Sequence, residues 1–75
     1  MPARTTDSVS ATQAHHHLAE LLEELTAARR TPLARNAAYM ADLEADIAAT
    51  RAAYVTAAVT ELAVLRGATH GRPQG

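Results

Sequence analysis

The sequence predicts an all-α protein: an antiparallel helical hairpin with a long second helix, assembling into an oligomeric helical bundle. Three observations predict this fold. Apolar residues recur at intervals of three and four along most of the 75-residue chain, which is the spacing of one face of an α-helix. A Thr-Pro pair interrupts the pattern once, near the middle. Alanine, the strongest helix former, supplies 19 of the 36 apolar residues.

The same composition predicts a weak core. Alanine contributes little buried area, and two tyrosines are the only aromatic residues. The chain has no cysteine, so neither a disulfide nor a thiolate metal site can stabilise it. Domains of this size usually need such a covalent or metal link, or a partner. We therefore expect a homo-oligomer, a dimer or larger, or a complex with another protein.

The first predicted element after a flexible N-terminal arm (residues 1–10) is a helix over about 11–29. Asp7, Ser8 and Ser10 are acceptable N-cap residues for it. Its apolar positions are spaced 3, 4, 3, 4 and 3 residues apart, which is typical of a helix packed along one face. These positions are Ala11, Ala14, Leu18, Leu21, Leu25 and Ala28.

A short turn at residues 30–31 leads into a second helix, predicted over about 32–66. Pro32 cannot lie inside a helix but suits its first position, and Thr31 is a good N-cap. Gly67 predicts the helix end, with a loop-like tail over 67–75. One seam has a seven-residue repeat with one apolar residue inserted: Leu33, Met40, Leu43, Ile47 and Tyr54.

Beyond Tyr54 the apolar residues cover a wider arc of the second helix, which indicates more than one helical neighbour. At 1.5 Å per residue the first helix, about 29 Å long, reaches approximately residue 50 of the second. The rest is then uncovered, and an uncovered apolar patch marks an interaction surface. The predicted oligomer or partner interface is Tyr54, Val55, Ala58, Val59, Leu62 and Leu65.

The segment "RRTPLARN" (29–36) places three arginines around the turn. Arg29 and Arg30 lie at the end of the first helix, where cations favour the helix dipole. Arg35 lies at the start of the second, the unfavourable end for a cation. The three are therefore either solvated helix ends or a site for an anion or an acidic partner. A helix-turn-helix DNA reader is excluded, because the second helix is too long and carries Asp42, Glu44 and Asp46.

No other pattern indicates catalysis or a cofactor. The histidines of "AHHHLA" (14–19) point about 100° apart, so at most two of them could converge on one metal ion, even with Glu20 four residues after His16. The carboxylates look like solvated faces, and a hairpin offers little concave volume. Tyr39 lies beside the seam, either as ordinary structure or as an anchor for a partner. We expect no enzyme, metal or cofactor.

The segments "RRTPLARN", "YMADLEADI" and "AAYVTAAVTEL" resemble stretches in small uncharacterised helical proteins of actinobacteriophages, over roughly residues 26–66. The resemblance implies no activity and transfers no site residues. It favours two roles: a minor structural component, or a small inhibitor of a host protein.

The predicted function is protein–protein interaction, as an oligomeric structural or adaptor module. One alternative is an inhibitor or regulator that binds a host protein through the apolar part of helix 2. Another is a nucleic-acid-binding dimer that uses the arginines, which the net charge of −1 does not favour. No signal peptide is visible, and the apolar stretch 52–65 is short for a membrane and contains Glu61. The sequence predicts a cytoplasmic protein, in the host cell or the virion if phage-encoded.

Overall fold

The computed structural model describes residues 9–70, with side chains described through residue 68. These residues form helix α1 (Ala11–Ala28), a 3₁₀ helix (Pro32–Arg35) and helix α2 (Ala37–His70), and they include no strand. The start of α1 contacts the later part of α2, at Ala11 and Glu61, and the later part of α1 contacts the start of α2, at Glu24 and Tyr39, so the two helices are antiparallel. The predicted all-α hairpin is confirmed.

Helix α1 begins with a capping box at Ser10. The Ser10 hydroxyl accepts a hydrogen bond from the Gln13 backbone N–H, and the Gln13 side chain accepts one from the Ser10 N–H, both at 3.0 Å. This pairing satisfies two donors that a helix start leaves free. Of the predicted caps, Asp7 and Ser8 lie outside the described residues, as does the predicted flexible arm through residue 8.

The turn is built around Thr31. Its hydroxyl donates to the Ala28 carbonyl at 2.9 Å, at the end of α1, and accepts from the Leu33 N–H at 3.1 Å, at the start of the 3₁₀ helix. The prediction that Thr31 caps the segment beginning at Pro32 is therefore correct.

The prediction of one continuous helix from Pro32 is wrong. The chain leaves helical geometry at Asn36, which is extended at φ −86° and ψ 99°. The Asn36 side chain accepts a hydrogen bond from the Tyr39 N–H at 3.0 Å and so caps α2, which begins only at Ala37. Asparagine is among the best N-cap residues, and here it competes successfully with helix continuation. Leu33 consequently leaves the predicted seam and is 44% exposed.

The predicted helix end at Arg66 is also wrong, because α2 continues through Gly67 to His70. A glycine ends a helix when it adopts a left-handed conformation, and no described glycine has a positive φ. Four residues of the predicted tail are thus helical, and residues 71–75 lie outside the described part of the chain.

The core is a single row between the two helices. Leu21, Leu43 and Ile47 are buried and pack together, and Ala14 and Ala28 extend the buried row along α1. The predicted seams are confirmed at these positions. Thr50 is also buried, at 8% exposure. Sequence reasoning missed it because it followed apolar residues alone, although Thr50 lies three residues after Ile47 on the same face.

Candidate interaction surface

Large apolar side chains are exposed along the second half of α2. Val55 is 52% exposed, Val59 62% and Leu62 54%. We call these three residues the apolar stripe. Leu65, at 63%, was also in the predicted interface, and Val64, at 66%, was missed. The other two predicted residues, Tyr54 and Ala58, are half-buried. Whether the set forms an interface stays a prediction.

The apolar stripe is exposed because it faces sideways from the hairpin. Successive residues of an α-helix are about 100° apart, so Val55 points well away from Tyr54, which packs near α1. The Tyr54 and His15 rings lie 5.8 Å apart between their centroids. A polar neighbour on α1 thus covers part of Tyr54, while Val55 at the same level faces solvent.

The reach of α1 along α2 was underestimated. The Ala11 backbone N–H, at the start of α1, donates to the Glu61 carboxylate at 2.8 Å. The expected reach was only to about residue 50. The difference arises because α2 begins at Ala37 instead of Pro32, and because side chains on a helix lean toward its N-terminus. Only the turns of α2 after Glu61 therefore extend beyond the end of α1.

Glu61 was not predicted as a site residue. It lies seven residues after Tyr54 and fourteen after Ile47, so it occupies the seam that faces α1. The signal in the sequence that could have identified Glu61 was the presence of a carboxylate on an otherwise apolar seam. Its negative charge lies at the positive end of the α1 dipole, where it accepts a hydrogen bond from an otherwise free N–H.

The hairpin has one polar side. The Tyr39 hydroxyl donates to the Glu24 carboxylate at 2.6 Å, and this hydrogen bond raises the pKa of Tyr39 because the carboxylate stabilises the neutral phenol. Asp42 and Asp46 line an open surface depression beside this pair. Tyr39 is thus tied to α1 within the chain, which favours the structural interpretation over a partner anchor.

The apolar stripe lies on the opposite side. Val55 is about 160° around α2 from Tyr39, and Leu22 is about 160° around α1 from Glu24. In an antiparallel pair both rotations lead to the same side of the hairpin. Leu22 is 38% exposed there. One side therefore carries the Tyr39–Glu24 pair with Asp42 and Asp46, and the other carries exposed apolar residues from both helices.

Arg29, Arg30 and Arg35, the candidate anion site, are all exposed, and none has an ion-pair partner among the described residues. Arg35 was expected at the start of a helix, but it lies in the last turn of the 3₁₀ helix, where a cation is favourable. Two backbone N–H groups at this corner already donate hydrogen bonds. The Leu33 N–H donates to the Thr31 hydroxyl, and the Tyr39 N–H donates to the Asn36 side chain. These facts favour solvated helix ends.

The histidines His15, His16 and His17 are exposed, as expected. His17 Nδ1 lies 3.8 Å from the Glu20 carboxylate, one turn away. Among the described residues, no group of three or more His, Cys, Asp or Glu side chains is placed to hold a metal ion.

Helix α2 is long and apolar enough to cross a membrane by length and composition alone. Within Ala37–Ala68 an 18-residue window has a mean hydropathy of 1.2, with 17% of that window buried. The expectation based on the shorter stretch 52–65 overlooked this longer helix. Length and composition alone do not assign a helix to a membrane, so the predicted absence of a membrane partner stays a prediction.

The chain matches no protein-family model, and searches of curated proteins and of solved structures found no significant match. The resemblance to actinobacteriophage proteins therefore stays a prediction.

Proposed function

We propose that this chain is a non-enzymatic protein–protein interaction module that acts as an oligomeric structural or adaptor protein. The observation that carries the proposal is the apolar stripe of Val55, Val59 and Leu62, exposed on the side of the hairpin opposite the hydrogen-bonded pair of Tyr39 and Glu24. Contiguous exposed apolar residues on a small protein mark an interaction site.

The small core supports the same conclusion. Its three large buried side chains, Leu21, Leu43 and Ile47, contribute roughly 1.5–3 kcal/mol each. A hairpin with so few large buried side chains gains much from burying its second apolar side against a partner.

The molar mass in solution tests the proposal, measured by light scattering across a hundredfold range of concentration. We expect a dimer or larger species for the unaltered chain. Val55→Glu places a charge in the apolar stripe and should shift the mass toward the monomer. Ala53→Glu is the matched control, because Ala53 is exposed and lies about 160° around α2 from Val55. It should leave the mass unchanged.

A monomer at every concentration would refute self-association. Flotation with lipid vesicles then separates the remaining partners of the stripe. Binding to vesicles would assign α2 to a membrane. A monomer that does not bind vesicles would indicate that the stripe binds a different protein, as in the inhibitor alternative.

A further inference from the structure

The apolar stripe belongs to a longer repeat along α2. Ala48, Val55 and Leu62 follow each other at intervals of seven residues, and all three are exposed. A seven-residue repeat keeps one line of residues facing a single neighbouring helix. The line runs from a small side chain through a medium one to a large one.

Two opposite charges flank this line symmetrically. Glu44 precedes Val55 by eleven residues, and Arg66 follows it by eleven. Each is roughly 16 Å from Val55 along the axis and about 20° from it around the helix. Both side chains are exposed, and neither has an ion-pair partner among the described residues.

We propose that the apolar stripe binds a second copy of this chain, with the two α2 helices antiparallel and a two-fold axis beside Val55. Val55 then contacts the partner's Val55, and Leu62 packs against the partner's Ala48. Glu44 pairs with the partner's Arg66, and by symmetry Arg66 pairs with the partner's Glu44. Each contact occurs twice, as a two-fold interface requires.

The antiparallel direction follows from size and charge. A parallel pair would place Glu44 beside Glu44 and Arg66 beside Arg66, which repel. It would also place Leu62 opposite Leu62, which separates the helices widely, and Ala48 opposite Ala48, which lets them approach closely. The antiparallel pair opposes a large residue to a small one at both ends, so the helices can remain equally spaced.

A third charged residue lies near the proposed contact. Arg51 is exposed and lies about 40° around α2 from Val55, toward α1. Its long side chain can cover apolar surface while the guanidinium stays in water at the edge. It therefore borders the contact, where its aliphatic part faces the partner's Val59, and does not interrupt the line of Ala48, Val55 and Leu62.

This inference rests on the proposed function, and cysteine cross-linking tests its geometry separately. The chain has no cysteine of its own, so each introduced thiol reports one position. Val55→Cys, at the axis, should form a disulfide-linked dimer under mild oxidation. Ala53→Cys, on the opposite side of α2, is the control and should not.

The direction is read from two further variants. In the antiparallel dimer the two Ala48 positions are about 21 Å apart along the axis, far beyond the reach of a disulfide. Ala48→Cys alone should stay unlinked, whereas a mixture of Ala48→Cys and Leu62→Cys should form the mixed disulfide. Ready linking of Ala48→Cys to itself would show a parallel pair and overturn the proposal.

Charge exchange provides a second readout. Glu44→Arg should weaken the dimer by about tenfold, because two attractive pairs become repulsive. Adding Arg66→Glu to the same chain should restore the original affinity. If light scattering shows a dimer but neither the cross-links nor the rescue is observed, this geometry is wrong and the proposed function survives. If the chain is a monomer, both fail.

Discussion

Glu61 and Ala11 are joined by a hydrogen bond across fifty residues of sequence: the carboxylate of one accepts from the backbone N–H of the other at 2.8 Å. The contact places a negative charge at the start of α1 and fixes how far along α2 that helix extends.

Replacing Glu61 should therefore loosen the start of α1. Glu61→Ala removes both the hydrogen bond and the charge, and we expect a loss of about 1 kcal/mol in the free energy of unfolding. Glu61→Gln keeps an acceptor and should lose less. Thermal unfolding by circular dichroism at fixed protein concentration measures both. Glu23→Gln, an exposed glutamate with no described partner, is the control; an equal loss there would contradict this role for Glu61.

The core should be sensitive at Ile47. It is 6% exposed, so Ile47→Ala should cost about 2–5 kcal/mol and Ile47→Val about 0.5–1.5 kcal/mol. Because the core is small, we expect Ile47→Ala to be largely unfolded by circular dichroism at room temperature. Leu33→Ala, at a position 44% exposed in the turn, should lose much less. Similar losses at the two positions would show that this row is not the core.

Tyr39 should titrate later than an ordinary phenol. Its hydrogen bond to Glu24 raises its pKa above 10.0. The folded pKa exceeds the unfolded value, so the stabilisation is fully present below pH 10 and is lost as the pH rises through the folded pKa. Phenolate absorbance, compared with Tyr39→Phe, isolates this group. Glu24→Gln should return the Tyr39 pKa toward its ordinary value, and an unchanged titration in that variant would exclude Glu24 as the cause.

The arginine corner should prove dispensable for folding. Replacing Arg29, Arg30 and Arg35 together by Gln should change the midpoint of thermal unfolding only slightly, because all three are exposed and unpaired among the described residues. Inorganic phosphate should stabilise the original chain and the triple variant equally. A phosphate-dependent rise in the midpoint that only the original chain shows would establish an anion site there.

Most of the fold could be predicted from apolar spacing and the Thr-Pro pair. Leu21, Leu43 and Ile47 were identified by their period, because burial of one helical face imposes that period directly. The break at Asn36 could not be predicted in the same way. It depends on whether the Tyr39 N–H donates to the Asn36 side-chain amide or to a backbone carbonyl of a continuing helix. These two options have similar free energies.

The candidate surface was predicted in part. Val55, Val59 and Leu62 were named from the widening apolar arc, and the structure exposes all three. The reason given for their exposure was incomplete, because it considered only the length of α1 and not the direction in which each side chain points. The role of Glu61 depends on the register between the helices, that is, on which residues of α1 and α2 lie side by side. The spacing of apolar residues within one helix does not determine that register.

The contact between Glu61 and Ala11 also bears on how the protein is made. A ribosome has to synthesise residue 61 before the start of α1 can acquire its acceptor, so α1 emerges and waits while most of α2 is translated. During that interval the start of α1 lacks its acceptor, whereas Leu21 of α1 already has its core partners Leu43 and Ile47 in the growing chain. The hairpin is thus completed at its open end only after residue 61 has been added to the chain.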